Sequence, residues 1–224
     1  MSAADGAPGA REQLVALAAR EVRWPPWAWV RMGGLRPAAV LVLFGALDSV
    51  PARHASLAVP ADLDVLLVGR SAGLTHHPGQ VAFPGGRLDP EDDGPVACAL
   101  REAREETGLD PAGVQVLGTL GTLAVPVSRH AVTPVLGWWA VSSAVGVVDP
   151  DESASVFRAP VADLLDPARR AVVVGSHQGR EFRSPAFEVA DHVVWGFTAM
   201  VLDHLFTELG WAEPWDEGRV VGST

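Results

Sequence analysis

The chain has 224 residues, 48% of them hydrophobic and 20% charged, a composition that fits one globular domain and excludes a disordered chain. Its formal net charge of −10 argues against a broad nucleic-acid interface, so an anionic substrate would need local neutralisation by metal ions or arginines. The single cysteine, Cys98, excludes an internal disulfide and fits a cytosolic protein.

The segments before residue 70 predict one helix followed by two strands. Residues 11–22 have apolar side chains at helical spacing, which predicts an amphipathic helix. The continuous apolar runs at residues 38–44 and 62–69 predict two buried strands. Arg70 directly follows the second strand, where its guanidinium could bind a phosphate group or form a surface salt bridge.

The stretch that follows predicts a helix that carries most of the charge in this part of the chain. Pro95 suits a first helical turn, and Asp92 or Asp93 upstream could cap it. Gly108 suits the left-handed residue that ends many helices.

Three carboxylates share one face of this predicted helix, because Glu102, Glu105 and Glu106 stand at i, i+3 and i+4. Carboxylate oxygens are the ligands that Mg²⁺ prefers, together with waters and substrate phosphates. The same spacing also suits a solvated face on which Arg101 and Glu105 form an ordinary ion pair. The glycine turn Gly85–Gly86 just upstream favours the metal site, because glycine lets the backbone approach a ligand closely.

Beyond the helix, alternating and apolar runs predict strands at residues 114–123 and 132–141, with Pro134 marking an edge, a bulge or a strand start. Residues 160–165 predict a short helix, and residues 175–180 a hairpin turn. A final helix is predicted over residues 192–209, capped by Asp191 and containing Gly196.

The stretch from residue 79 to residue 109 resembles the Nudix box, whose pattern is Gly-x5-Glu-x7-Arg-Glu-U-x-Glu-Glu-x-Gly-U with U apolar. Residues 101–109 match every fixed position of its second half. In the first half, Gly86 stands one residue farther from Arg101, and Asp92 or Asp93 replaces the usual Glu.

The segment upstream of the box resembles the signature of the coenzyme A diphosphatase branch, which also has a box one residue longer. The matching residues are 66–71 and 79–86, with Thr75 where that signature has an arginine.

The resemblance implies an α/β fold of the Nudix type: an α/β/α sandwich with a mixed β-sheet between the box helix and the C-terminal helix. It implies that Mg²⁺ or Mn²⁺ binds to Glu102, Glu105 and Glu106. The expected catalytic residues are Glu102, Glu105, Arg101 and the late carboxylate Glu152. The expected substrate contacts are Arg70, Gly85, Gly86, Ser128 and Arg129.

The implied reaction is hydrolysis of the diphosphate of coenzyme A, or of an acyl derivative, to 4′-phosphopantetheine and adenosine 3′,5′-bisphosphate. Two alternatives stay open: a Nudix hydrolase of ADP-ribose, dinucleotides or oxidised nucleotides, and a sensor that binds a nucleotide without cutting it. The three carboxylates of the box argue against the sensor, which could lose them without harm.

We expect residues 1–35 to form a helix with a Trp- and Pro-rich lead-in, residues 36–209 the Nudix hydrolase domain, and residues 210–224 a C-terminal tail. The tryptophans at positions 24, 27 and 29 either cover the core edge or contact an adenine or a second subunit, so a homodimer stays open. No apolar run reaches the ~18 residues of a membrane span, and the start lacks a signal-peptide pattern. We therefore expect a cytoplasmic protein with a small-molecule nucleotide substrate and neither nucleic-acid nor membrane partners.

Overall fold

The computed structural model describes residues 9–20, 22–25, 33–46, 52–71, 73, 79–177 and 180–222. The helices in these ranges are α1 (Ala10–Ala18), α2 (Gly94–Thr107), α3 (Val161–Leu165) and α4 (Phe197–Glu208). The strands up to the box helix are β1 (Arg36–Ala46), β2 (Leu63–Arg70), β3 (Val81–Ala82) and β4 (Gly85–Arg87). Those after it are β5 (Val114–Thr119), β6 (Leu123–Val125), β7 (His130–Trp139), β8 (Ser153–Pro160), β9 (Arg170–His177), β10 (Arg180–Val189), β11 (His192–Val194) and β12 (Val220–Val221).

The central sheet is mixed and follows the order β3-β2-β1-β7-β5, with β4, β6 and β8 paired to its members. Strands β1 and β7 run parallel, whereas β1 pairs antiparallel with β2 near its end and with β4 near its start. This register places the glycines of β4 opposite Ala39 and Val40 of β1.

Helices cover both faces of this sheet. On one face α2 buries Cys98, Ala99 and Ala103 against alternate residues of β1 such as Leu41. On the other face α1, α3 and α4 share a larger core with the opposite residues of β1, including Phe44. The predicted α/β/α sandwich, with the sheet between the box helix and the C-terminal helix, is therefore confirmed.

A second sheet, which the sequence did not predict, has the order β11-β10-β9-β12. The hairpin of β9 and β10 agrees with the turn predicted at residues 175–180, because His177 and Arg180 are its last pair. Phe187 of β10 packs edge-on against Phe206 of α4 at 6.0 Å between ring centres, so this sheet closes the larger core.

The predicted final helix over residues 192–209 is wrong at its start. Residues 192–194 form β11, which pairs with β10 through a tight turn at Ala190 and Asp191, both with positive φ. Asp191 is therefore a hairpin turn residue rather than a cap. The helix begins after Gly196, whose φ of 69° lies in the left-handed region that glycine tolerates.

The strand predicted at residues 114–123 is interrupted. Strand β5 ends at Thr119 after a register shift beside Gly118, and β6 starts at Leu123. The gap between them lies opposite Pro134 in the middle of β7, where the Leu120 N–H donates to the Pro134 carbonyl at 2.8 Å. Pro134 has no N–H to donate in return, so the regular hydrogen bonding between β7 and the segment from β5 to β6 is interrupted at this point.

The segment after Gly210 also packs on the fold. Trp211 is buried in the larger core, and β12 pairs parallel with β9. The Arg170 guanidinium lies between the rings of Phe187 and Trp215, at 4.3 and 4.4 Å from their centres. Among the described residues, no helix is long and apolar enough to cross a membrane.

Candidate active site

The box helix α2 packs one face against the core, and its carboxylates lie on the other face. Asp93 stands at its N-cap, Pro95 lies in its first turn, and Gly108 with φ 72° ends it. The Gly108 N–H donates to the Arg104 carbonyl at 2.9 Å, as expected for a left-handed helix end. Burial raises the pKa of the Cys98 thiol to about 11, and Cys98 packs in the core beside Ala99 and Ala103.

The glycine turn of β4 lies directly against two carboxylates of α2. The Gly85 N–H donates to Glu106 Oε2 at 3.0 Å. A Cβ built on Gly86 would stand 2.4 Å from Glu102 Cδ, so only glycine allows this carboxylate to approach the strand so closely. A Cβ on Gly85 would stand 2.4 Å from the Ala39 carbonyl oxygen of β1. We call Gly85, Gly86, Glu102 and Glu106 the carboxylate cradle.

Glu106 is the most deeply held carboxylate of the cradle. Burial raises its pKa to about 7, while the Gly85 N–H lowers it and the charge of Glu102 raises it. Arg70 lowers the same pKa and Glu152 raises it, so both lie within electrostatic range of Glu106. Burial also raises the pKa of Glu102, although Arg101 opposes the rise.

Arg101 organises the acidic loop and the helix face together. Its Nε and Nη2 donate to the two carboxylate oxygens of Asp92 at 3.0 and 2.9 Å, and this pair holds the pKa of Asp92 down at about 2. Its Nη1 lies 3.0 Å from one oxygen each of Glu102 and Glu105. Asp92 is therefore the partner that the sequence left open between positions 92 and 93.

The residues fit a divalent metal by their donor chemistry. The three glutamates offer oxygen ligands, and the buried cradle leaves the negative charge of Glu106 poorly compensated. Within the part of the chain that the structure describes, no three acidic, imidazole or thiol groups already stand together as a metal cluster. The Arg101 guanidinium lies against one oxygen each of Glu102 and the largely exposed Glu105.

Arg70 and Glu152 come from two neighbouring strand ends. Arg70 is the last residue of β2, faces Ser153 of β8, and donates its backbone N–H to the Gln80 carbonyl at 2.9 Å. Its Nε is buried and has no hydrogen-bond partner among the described residues. Glu152 lies next to it, because its carbonyl accepts the Ser71 N–H at 3.0 Å. The sheet therefore brings these two predicted residues to the edge of the cradle.

Ser128 and Arg129 lie apart from the cradle, in the turn between β6 and β7. The Arg129 N–H donates to the Pro126 carbonyl at 3.2 Å, and the Ser128 hydroxyl contacts the Val125 carbonyl at 3.5 Å. Thr75, His76, His77, Trp27 and Trp29 are outside the described residues.

Sequence reasoning missed two contributors to the Arg101 network. The Arg87 carbonyl accepts a hydrogen bond from Arg101 Nη2 at 3.1 Å, and Asp89 lies 3.6 Å from the same nitrogen. The Asp89 N–H also donates to Asp92 at 2.8 Å, which folds the loop into a compact turn. The run of acidic residues around Pro90 was the available signal, but no spacing rule assigns one of them to Arg101.

Comparisons with known proteins give the same family. The family model described as "NUDIX domain" matches residues 51–173. An uncharacterised Nudix hydrolase, NudL, of Photorhabdus laumondii is 36% identical over 157 residues, which cover 68% of this chain and 83% of that protein. The protein of the same description from Citrobacter koseri is 34% identical over 175 residues, 73% of this chain and 86% of that protein.

Among solved structures, a MutT/nudix family protein from Enterococcus faecalis has a TM-score of 0.48 and 16% identity. The match covers 92% of this chain and 76% of that one.

Proposed function

Because the chain belongs to the Nudix hydrolase family, whose members act on phosphoric anhydrides, we propose that it hydrolyses the diphosphate of coenzyme A or its acyl derivatives. The products would be 4′-phosphopantetheine, with any acyl group retained, and adenosine 3′,5′-bisphosphate. The observation that carries the reaction is the carboxylate cradle, in which Glu102 and Glu106 meet the backbone of Gly85 and Gly86.

In this proposal each residue of the site has a separate task. Glu102, Glu105 and Glu106 would hold Mg²⁺ or Mn²⁺, which when bound offsets the charge of the diphosphate and acidifies a water. Arg101 fixes the helix to the acidic loop through Asp92 and so positions Glu102. Arg70 would bind a phosphate oxygen with its guanidinium, whose buried Nε has no hydrogen-bond partner among the described residues.

The general base remains one of three carboxylates. Glu102 and Glu105 lie on the box helix, and Glu152 approaches from the β8 side of the cradle. Glu152 is exposed, so a water molecule can reach its carboxylate. Ser128 and Arg129 are proposed as contacts to a more distant part of the substrate.

Support for coenzyme A comes from the sequence upstream of the box, where residues 66–71 and 79–86 resemble the coenzyme A diphosphatase signature. These residues form the end of β2 and the segment from β3 to β4, which together border the cradle. Cleavage of ADP-ribose or a dinucleotide would use the same cradle. The cytoplasmic location and a homodimer remain predictions.

The test is product analysis of the purified protein with coenzyme A, ADP-ribose and NADH, each with and without Mg²⁺ or Mn²⁺. We expect metal-dependent release of adenosine 3′,5′-bisphosphate from coenzyme A and little cleavage of the other two. Cleavage of ADP-ribose or NADH alone would keep the hydrolase and reject the substrate. Nucleotide binding without cleavage of any of them would support a sensor instead.

A further inference from the structure

The box helix meets β4 through a row of three side chains that stand one helical turn apart. Cys98, Glu102 and Glu106 are at i, i+4 and i+8 of α2, so they follow one another along the same side of the helix. The last two are the carboxylates of the cradle, which meet Gly86 and Gly85. Cys98 begins the row, one turn before the first of these carboxylates.

The Cys98 thiol contacts the backbone of β4. Its Sγ donates to the Arg87 carbonyl oxygen at 3.3 Å and lies 3.7 Å from the Gly86 carbonyl oxygen. Arg101 Nη2 approaches the same sulfur at 3.8 Å. Burial raises the pKa of the thiol to about 11, so it keeps its proton at neutral pH and can act as a donor.

These contacts matter because β4 has one edge that no strand covers. The strand pairs with β1, where the Leu41 N–H donates to the Pro84 carbonyl at 2.8 Å. Backbone groups alternate in direction along an antiparallel strand, so those of Gly85 and Arg87 point away from β1. Among the described residues β4 pairs with β1 alone, and side chains of α2 therefore occupy its other edge.

Cys98 differs from the other side chains at this edge because it is uncharged. Glu106 accepts the Gly85 N–H at 3.0 Å, and Arg101 donates to the Arg87 carbonyl at 3.1 Å. A cation bound at the cradle would attract the first of these charged groups and repel the second. The neutral thiol responds weakly to such a charge, so its contact with β4 can persist whether or not a metal ion is bound.

We propose that Cys98 is a positioning residue of the active site, whose thiol fixes β4 against α2 and thereby keeps Gly86 in contact with Glu102. Groups that orient metal ligands from behind typically change metal affinity or activity by about 10- to 100-fold when they are lost. The inference rests on the proposed function, in which Glu102 and Glu106 hold the divalent cation.

Two substitutions and one control separate the donor from the packing of the residue. Cys98→Ala removes the thiol, whereas Cys98→Ser keeps a donor of similar size at the same position. The control is Val135→Ala, which shortens a fully buried side chain of β7 in the same core without touching β4. Thermal unfolding of all three verifies that each is folded at the temperature of the measurements.

The first measurement is hydrogen–deuterium exchange of residues 83–89 in the metal-free protein. We expect exchange in Cys98→Ala to be at least about threefold faster than in the wild type, which is the effect of one weak hydrogen bond. In Cys98→Ser and Val135→Ala this segment exchanges at the wild-type rate.

The second measurement is calorimetric binding of Mn²⁺, followed by kinetics with coenzyme A. Cys98→Ala should bind Mn²⁺ about tenfold more weakly and need about tenfold more Mn²⁺ for half-maximal turnover, with KM for coenzyme A unchanged. Cys98→Ser should remain within about threefold of the wild type in both properties, because its hydroxyl replaces the lost donor.

The outcomes distinguish this inference from the proposed function. Faster exchange of residues 83–89 in Cys98→Ala alone supports the positioning role even if the wild type does not cleave coenzyme A. Wild-type exchange and Mn²⁺ affinity in a folded Cys98→Ala protein overturn the role and leave the proposed function intact. Equal losses in Cys98→Ser and Cys98→Ala also overturn it, since the volume of the side chain and not its donor would then matter.

Discussion

The side chain of Glu106 is a buried carboxylate whose charge is poorly compensated by the protein. Its carboxylate is largely removed from water and, within the part of the chain that the structure describes, accepts one hydrogen bond, from the Gly85 N–H. A buried carboxylate with so little compensation prefers to be neutral, which is why its pKa rises to about 7. A bound cation would compensate the charge of Glu106. The burial of this carboxylate therefore costs folding stability and also prepares it to bind a metal ion.

Replacing Glu106 by glutamine should therefore separate activity from folding. Glutamine keeps an oxygen that can accept the Gly85 N–H but cannot bind a metal as a carboxylate does. We expect Glu106→Gln to lower kcat by at least ~10²-fold with unchanged thermal unfolding. The control is Glu91→Gln, an exposed acid of the loop. Near-normal turnover of a folded Glu106→Gln protein would reject the metal assignment.

The pairing of Arg101 with Asp92 rather than Asp93 gives a second test at the residue level. Asp92→Asn removes a bidentate charged partner and should lower kcat by about tenfold, because Arg101 no longer fixes the helix face to the loop. Asp93→Asn is the matched control, since the Asp93 side chain makes no capping hydrogen bond. Steady-state kinetics decide between them, and equal effects of the two changes would contradict the assignment.

At the level of elements, the site depends on how closely β4 and α2 approach each other. The strand is only three residues long, and its pairing with β1 fixes its position against the helix. Helix and strand meet where Gly86 faces Glu102, without room for even a methyl group.

Gly86→Ala should therefore disrupt the cradle. Its Cβ would lie 2.4 Å from Glu102 Cδ, so the glutamate must leave its position or the strand must shift. We expect a loss of activity of at least tenfold, together with a lower unfolding temperature, since overpacking typically costs about 1–3 kcal/mol. Gly146→Ala is the control, because no atom lies within 4 Å of a Cβ built there. Wild-type kinetics of Gly86→Ala would show that the contact does not matter.

At the scale of the whole molecule, the ion pair of Asp64, at the start of β2, with Arg158 makes the stability of the fold depend on pH. Asp64 lies at the opposite end of β2 from Arg70, is 1% exposed, and accepts a hydrogen bond from Arg158 Nη2 at 2.6 Å. Burial raises its pKa to about 6, although the hydrogen bond and charge of Arg158 oppose the rise. The folded protein thus binds this proton more tightly than the unfolded chain, where the carboxyl has a pKa of about 3.9.

The direction of the pH dependence follows from the higher pKa of Asp64 in the folded protein. The contribution of Asp64 to stability is fully present below pH 4 and is lost as the pH rises through about 6. The test is the free energy of unfolding in urea, measured from pH 4 to 7.5 for the wild type and for Asp64→Asn, which has no titrating group at position 64. The wild type should lose stability relative to the variant over this range, and a constant difference would contradict the raised pKa.

The sequence by itself determined the features that depend on local spacing. Helical periodicity placed Glu102, Glu105 and Glu106 on one face of α2, and apolar runs located β1 and β2. These predictions succeeded because neighbouring residues alone decide which face of a helix or strand a side chain occupies.

The tertiary structure decided what depends on pairing between distant segments. Residues 192–194 continue the apolar pattern of the helix that follows, yet they form β11 because β10 offers hydrogen-bonding partners. The register of β1 with β4 fixes Gly86, which meets Glu102, beside Ala39. The pairing of β2 with β8 places Arg70 opposite Ser153, next to Glu152. Such contacts join residues that are far apart in the chain, so their geometry appears only when the sheet is assembled.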